Sequence, residues 1–264
     1  MPLTGAALFW ARVRFAWVAI GYVFFTLLVV PFYYILGYPF PRFFYRYVQA
    51  WTHILADLCG ARIYVKGLSR PDWDLPSVIV MNHLSYLDFA VAMQVVPVHL
   101  HIIATRGLGF VPFIGGAMRL MQFIFIDRKS PAKAYASMEK ASEKIAMGRH
   151  VLSYPEGGIS KTGEMGSFKR GLFHLAVRAQ VPVVPFVIRG SHLVMDNWKK
   201  TVVPGDVEVE FLAPEPTAGL DESDLPALIE RVRTRMAAAY GDGTLRGEGF
   251  EMAESPWSKR GRRL

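Results

Sequence analysis

The sequence predicts an α/β fold: a mixed, largely parallel sheet with flanking helices, preceded by an N-terminal membrane-embedded helix pair. Three observations predict it. Short apolar, β-branched runs recur through the middle of the chain, each leading into a polar or glycine-rich turn, as strands buried on both faces of a parallel sheet do. No aspartate or glutamate precedes Asp57, and aromatic residues crowd the first fifty positions. At 264 residues the chain is long enough for one core-forming domain plus an appendage. The expected divisions are membrane-anchoring helices over 1–58, an α/β domain over 59–240 and a basic, disordered tail over 241–264.

Each element has its own signal. Residues 15–38 carry no charge. As a helix they would be about 36 Å long, enough to cross a ~30 Å hydrocarbon core with tilt. Pro31 interrupts this run, where a kink is expected. Residues 43–58 place Phe44, Tyr47, Val48, Trp51, Leu55 and Leu58 at helical spacing. Arg12 and Arg14 precede the apolar run while Arg42 and Arg46 follow it, so the positive-inside rule sets no orientation. The pattern favours a helix pair that dips into one leaflet and returns with both ends cytoplasmic, a single span being the alternative. The run is long and no small-residue cleavage site follows it, which argues against a cleaved signal. Strands are expected at 62–66, 77–81, 99–104, 122–126, 181–186 and 207–212, with another starting at Val151. Helices are expected at 86–96, from Ser130-Pro131 to about Gly148, at 172–180 and at 225–240.

The chemistry concentrates where strands end. Asn82-His83-Leu84-Ser85-Tyr86-Leu87-Asp88 sets an imidazole and a carboxylate five positions apart just after a buried strand. Within one helix such a pair would lie about 140° apart and could not meet. With His83 on the turn and Asp88 in the first helical turn they can, and the carboxylate then holds Nδ1–H so that Nε2 is free to take a proton. A structural reading competes: Ser85 suits a helix N-cap, and Ser85-x-x-Asp88 has the spacing of a capping box. Val151-Leu152-Ser153-Tyr154-Pro155-Glu156-Gly157-Gly158 is again a strand running into a glycine-rich turn. There Glu156 can accept from a hydroxylated substrate, and Gly157 and Gly158 allow close backbone approach. Lys169 and Arg170 open the helix that follows, where dipole and charge both favour an anion. Asp127-Arg128-Lys129 makes a cationic tip on the strand before it.

Composition narrows the partners. The net charge is +8, but no nucleic-acid motif is present and the cations are not gathered on one helix. An anionic bilayer and phosphorylated substrates explain the charge better. The single cysteine, Cys59, leaves no internal disulfide and reads as a small buried residue in a reduced compartment. His99-x-His101 puts two imidazoles on one strand face, a weak metal signal without a third ligand, so no metal is expected. His150, His174 and His192 read as packing or surface residues. No G-x-S-x-G elbow of a hydrolase occurs. The cationic run 259–263 adds attraction to anionic lipid.

Four blocks in order resemble one family. NHLSYLD at 82–88, FVPFIGGAMRLMQFIFIDR at 110–128, YPEGGIS at 154–160 followed by FKRGLFHLA at 168–176, and VPVVPF at 181–186 are similar to the blocks NHxSxxD, IDR, FPEGTRS and VPVVPV of the glycerolipid acyltransferases, which include bacterial 1-acyl-glycerol-3-phosphate acyltransferases. The resemblance spans roughly residues 60 to 215.

It implies acyl transfer from acyl-CoA or acyl-carrier protein to a lipid hydroxyl, by default the sn-2 hydroxyl of 1-acyl-glycerol-3-phosphate, with no cofactor and no covalent enzyme intermediate. His83 would be the general base and Asp88 its orienter, with Asn82, Ser85, Glu156, Gly157 and Gly158 in the substrate site and backbone amides near Gly157 at the oxyanion. The chain departs from the family at Gly158-Ile159, where the family has Thr-Arg and that arginine is thought to hold the acceptor phosphate. Arg106, Arg128, Lys161, Lys169 and Arg170 are the cations left for that task. Another lysolipid, such as a larger-headed lysophospholipid or lyso-ornithine lipid, is therefore the alternative acceptor, and a non-catalytic lipid-binding relative the alternative class. The implied location is the inner (cytoplasmic) membrane, with the site on its cytoplasmic side.

Overall fold

In the computed structural model, residues 3–36, 41–111, 114–127 and 131–253 are described. Helix α1, Gly5–Leu36, is 32 residues long and runs unbroken through Pro31. It starts ten residues before the charge-free run because arginine is a good helix former and Arg12 and Arg14 stay exposed on it. Within it Gly5–Phe24, of mean hydropathy 1.3, is the one segment among the described residues long and apolar enough to cross a membrane. Phe9, Trp10, Trp17, Ile20 and Phe24 are more than half exposed there.

Helix α2, Pro41–Cys59, opens on a proline and is closed by Gly60, whose φ is +68°. A Cβ at Gly60 would sit 2.7 Å from the Pro204 side chain, so only glycine fits. The face α2 buries differs from the expected one. Tyr45, Val48, Gln49, Thr52, Leu55, Ala56 and Cys59 are buried, while Leu58 is half exposed. The reason is that polar groups on this face are satisfied by the next layer. Gln49 donates to Met93 O, Gln94 donates to Thr52 O, and the Tyr45 hydroxyl donates to Val98 O while accepting from Leu100 N. Helix α2 is thereby tied to the α/β domain rather than hung from it.

That domain continues through β1 (Ala61–Lys66), β2 (Val78–Met81), α3 (Leu87–Val95), β3 (Leu100–Thr105), α4 (Ile114–Leu120), β4 (Ile124–Ile126), α5 (Pro131–Ala146) and β5 (His150–Ser153). It is completed by α6 (Arg170–Ala179), β6 (Val183–Arg189), α7 (Ser191–Val194), the hairpin β7 (Met195–Asp196) and β8 (Thr201–Val202), β9 (Gly205–Phe211), α8 (Leu225–Tyr240) and β10 (Glu251–Met252). Eight strands form one sheet in the order β10-β1-β9-β6-β2-β5-β3-β4. Every pair is parallel except β9 with β6 and β10 with β1. β2, β5 and β6 are buried along their whole length, as continuous apolar runs in a covered sheet require.

Three expectations are corrected. The strand expected at 122–126 begins only at Ile124, because Gln122 closes the turn after α4 with φ +58°. The strand expected at 181–186 runs on to Arg189. The tail is ordered as far as Ala253: β10 pairs with β1, and Ala253 N donates to Ile63 O. What holds it is Glu208, buried on β9, which accepts from Arg246 N (2.9 Å) and Gly247 N (2.6 Å). The cationic run 259–263 lies outside the described residues.

Arg189, fully buried at the end of β6, knits these parts together. It bonds Glu210 on β9 at 2.7 Å, Glu208 at 3.4 Å and the Ala239 carbonyl on α8 at 2.5 Å, and its guanidinium lies over the Phe250 ring.

Candidate active site

Strands β2, β5 and β6 run parallel and side by side, so their C-terminal ends converge on one rim. Past the end of β2, Asn82 is fully buried and its amide makes both bonds to Ile188 of β6, donating to O at 3.0 Å and accepting from N at 2.8 Å. This pins the loop that follows. Asp88 Oδ2 then accepts three donors: Leu84 N at 2.6 Å, Ser85 N at 2.9 Å and, at 2.8 Å, His83 Nδ1. Ser85 Oγ accepts from Leu87 N at 3.1 Å and donates to Met195 O at 2.8 Å. The helix-capping and histidine-orienting readings of this motif are thus one arrangement. The carboxylate that ends the orphan amides of the turn also fixes the imidazole. The capping box itself is incomplete, since the Asp88 amide goes to Ser85 O and not to its hydroxyl.

The His83 ring stacks on Tyr154 with centroids 3.7 Å apart and planes 13° from parallel. With Nδ1 engaged, Nε2 is the nitrogen left to face the cavity that His83 lines. Sequence reasoning treated Tyr154 only as part of its motif; its place one residue past β5, beside the Pro-Glu-Gly-Gly turn, is the signal that marks it.

Glu156 serves the loops. Its Oε1 accepts from His83 N at 2.9 Å and Oε2 from Gly166 N at 2.8 Å, and burial raises its pKa above the ordinary carboxylate value. The neighbouring loop is tied in as well, Ser160 N donating to His83 O at 2.8 Å. A glutamine at 156 presents an NH2 to one of the two amides. Glu156→Gln is therefore expected to leave one donor unmatched, at about 1–3 kcal/mol. Thermal melts should show the loss, and kcat should fall with it because His83 shifts.

The Gly157 N–H donates to Tyr154 O, so this amide closes the turn and is not aimed at an oxyanion. Gly158 and Ile159 line the cavity wall beside it. Lys161 is exposed and does not line the cavity, its Nζ lying 5.1 Å from the Trp198 ring. Lys169 and Arg170 sit exposed where α6 begins, with Lys169 N held by Pro155 O. Arg106 is ion-paired with Asp127 at 2.9 Å and does not line the cavity. Arg128 lies outside the described residues.

The cavity, about 700 Å³, is apolar for most of its wall. Phe15 and Val18 of α1, Trp51 and Leu55 of α2, Ile103 of β3 and Met118 of α4 are among its lining residues, and His83 stands among them as a polar group. The N-terminal helices therefore help to build the site, which no local sequence signal shows. Outside the cavity lining, His99 stacks on Tyr45 and His101 Nδ1 lies 3.3 Å from Gln122 O. Burial pushes these two imidazoles down to about 3 and about 4. Among the described residues no group of three or more side chains could hold a metal ion.

Comparison with known proteins adds to this geometry. The model of a family described as Acyltransferase matches residues 62–189. The chain is 38% identical over 193 residues to the 1-acyl-sn-glycerol-3-phosphate acyltransferase alpha of Ovis aries, covering 73% of this chain and 67% of that one. To the beta form of Homo sapiens it is 36% identical over 182 residues, covering 69% and 66%. Its fold is similar to the crystal structure of the 1-acyl-sn-glycerophosphate (LPA) acyltransferase PlsC from Thermotoga maritima, with a TM-score of 0.71 at 21% identity over 90% of this chain and 98% of that one.

Proposed function

The chain belongs to the acyltransferase family, and from that premise we propose that it moves a fatty acyl group from a thioester to the sn-2 hydroxyl of 1-acyl-glycerol-3-phosphate, giving phosphatidic acid. The observation that carries this reading is the 2.8 Å bond from His83 Nδ1 to Asp88 Oδ2 at the wall of an apolar cavity. His83 Nε2 takes the proton of the acceptor hydroxyl as its oxygen attacks the thioester carbonyl. The tetrahedral intermediate collapses, the carbon–sulfur bond breaks, and the imidazolium returns the proton to the departing thiolate. Asp88 carries the counter-charge throughout. The apolar cavity suits an acyl chain, which needs burial and few polar contacts. The donor is acyl-CoA or acyl-carrier protein. Thiol release from acyl-CoA with a panel of lysolipids tests the reading; saturable lipid binding without thioester consumption would leave a binding protein in its place.

Ile159 favours keeping a second acceptor in view. It lines the cavity where the family's arginine is expected, and a lost charge-assisted bond to phosphate costs about 1.5–3 kcal/mol, or one to two decades of specificity. The double substitution Gly158→Thr/Ile159→Arg is expected to raise kcat/KM for lysophosphatidic acid about tenfold or more relative to uncharged-headed or larger-headed lysolipids. An unchanged ratio would mean that position 159 does not read the head group, and a wild-type preference for a phosphate-free acceptor would replace the default substrate.

The same reading places α1 and α2 in the inner membrane with the site at its cytoplasmic face, so that a lysolipid enters without leaving the bilayer. The exposed aromatic and aliphatic side chains of Gly5–Phe24 support this anchorage. Protein held this way should stay with membranes through a carbonate wash. Complete release at high pH would rule out an embedded anchor.

A further inference from the structure

Behind the His83–Asp88 pair four buried polar atoms have no hydrogen-bond partner among the described residues: Asp88 Oδ1, the Tyr154 hydroxyl, Ser191 Oγ and His192 Nδ1. Their elements lie together. Helix α7, which begins with Ser191 and His192, is bracketed by two contacts of the His83 loop, Asn82 to Ile188 on one side and Ser85 Oγ to Met195 O on the other. It also packs against α3, whose first turn carries Asp88. The Asp88 charge acts on both the His192 ring and the Tyr154 hydroxyl.

The chemistry of the four atoms is complementary. Asp88 Oδ1 accepts only, while the two hydroxyls and a neutral imidazole can donate. Burial holds His192 below the ordinary histidine value, and a neutral imidazole can carry its one proton on Nδ1. Groups of this kind in one buried place suit ordered water, a single molecule of which makes about three hydrogen bonds. The asymmetry of Asp88 points the same way. Its Oδ2 takes three donors and its Oδ1 takes none from the described residues.

We propose that His192 is a positioning residue for the catalytic pair, supplying with Ser191 and Tyr154 the water-bridged donors that solvate Asp88 Oδ1 and hold Oδ2 turned toward His83. This rests on His83 acting as the base. The test is steady-state thiol release by the full-length protein in lysolipid-containing micelles, with acyl-CoA as donor. His192→Leu is expected to lower kcat about tenfold with KM for the lysolipid within about twofold, the effect of one hydrogen bond to a charged group. His192→Asn, whose side-chain NH2 replaces the Nδ1 donor, should recover to within about threefold of wild type. In a His83→Ala background His192→Leu should cost nothing further, since the two residues act through one step.

A wild-type kcat in folded His192→Leu overturns the proposal. So does an Asn variant as impaired as the Leu variant, or an undiminished effect of His192→Leu in the His83→Ala background. A wild-type rate in His83→Ala alone overturns the reading of the pair itself, and this proposal with it. If His192→Leu does not accumulate as folded protein, Tyr154→Phe decides. It removes one hydroxyl from the pocket while keeping the ring on His83, so a kcat loss of about threefold or more supports the proposal and an unchanged kcat overturns it.

Discussion

His83→Ala is expected to lower kcat by about two to four orders of magnitude, the usual range for a lost general base, with little change in KM for the lysolipid. No neighbour can substitute. Asp88 is fully buried behind the ring, and both Glu156 oxygens are occupied by backbone amides. Asp88→Asn is expected to do less, for a geometric reason. The amides of Leu84 and Ser85 demand an acceptor where Oδ2 now sits, so the asparagine carbonyl takes that place and the imidazole keeps its tautomer. What is lost is the counter-charge to the imidazolium, about ten- to a hundredfold in kcat. A folded His83→Ala enzyme with wild-type turnover would end the base assignment. Equal losses in the two variants would show that Asp88 sets the tautomer as well as the charge.

The largest stability effect is expected at Arg189. Arg189→Met leaves Glu208 and Glu210, two residues apart on one face of β9, with no cation beside them. Breaking a buried pair in this way costs about 3–5 kcal/mol. Glu208 retains the amides of Arg246 and Gly247, whereas Glu210 loses its ion-pair partner. Adding Glu210→Gln to Arg189→Met should therefore recover part of the loss. Denaturant midpoints in a fixed detergent would measure both. A midpoint for Arg189→Met within error of wild type would show that the network contributes nothing.

Much of the site was legible in the sequence because it is local. The pairing of His83 with Asp88 follows from five residues, a strand before them and a helix after. Glu156 was also found, but not its partners: the motif shows a carboxylate on a turn, while the amides of His83 and Gly166 that it holds come from two other loops. The buried face of α2 was misplaced for a related reason. Periodicity counts Gln49 and Thr52 as outward, and their hydrogen bonds to and from α3 make them inward. Composition likewise reads 241–253 as solvent-exposed chain. The segment docks because Glu208 needs donors, a requirement written some forty positions earlier. The hairpin β7–β8 and the helix α7 left no signal at all, being two and four residues long.

The place of β1 in the sheet bears on how the protein is made. Among the described residues its strand partners are β9 and β10, so none of these native partners is translated in the next 138 residues, 67–204. At about 5–20 residues per second the ribosome needs roughly 7 to 28 seconds to reach Gly205. During that interval the sequence Ala61–Lys66 is an open edge, able to pair with the wrong chain. The helices that precede it shorten the search. With α1 and α2 seated at the bilayer as proposed above, β1 would be tethered within a few residues of the membrane surface, and its late partner would arrive on the same chain rather than from solution. Chains stalled before Gly205 should be cut by protease near β1 where finished chains resist. On the proposed anchorage, the N-terminal helices guard an unfinished sheet before they serve a finished enzyme.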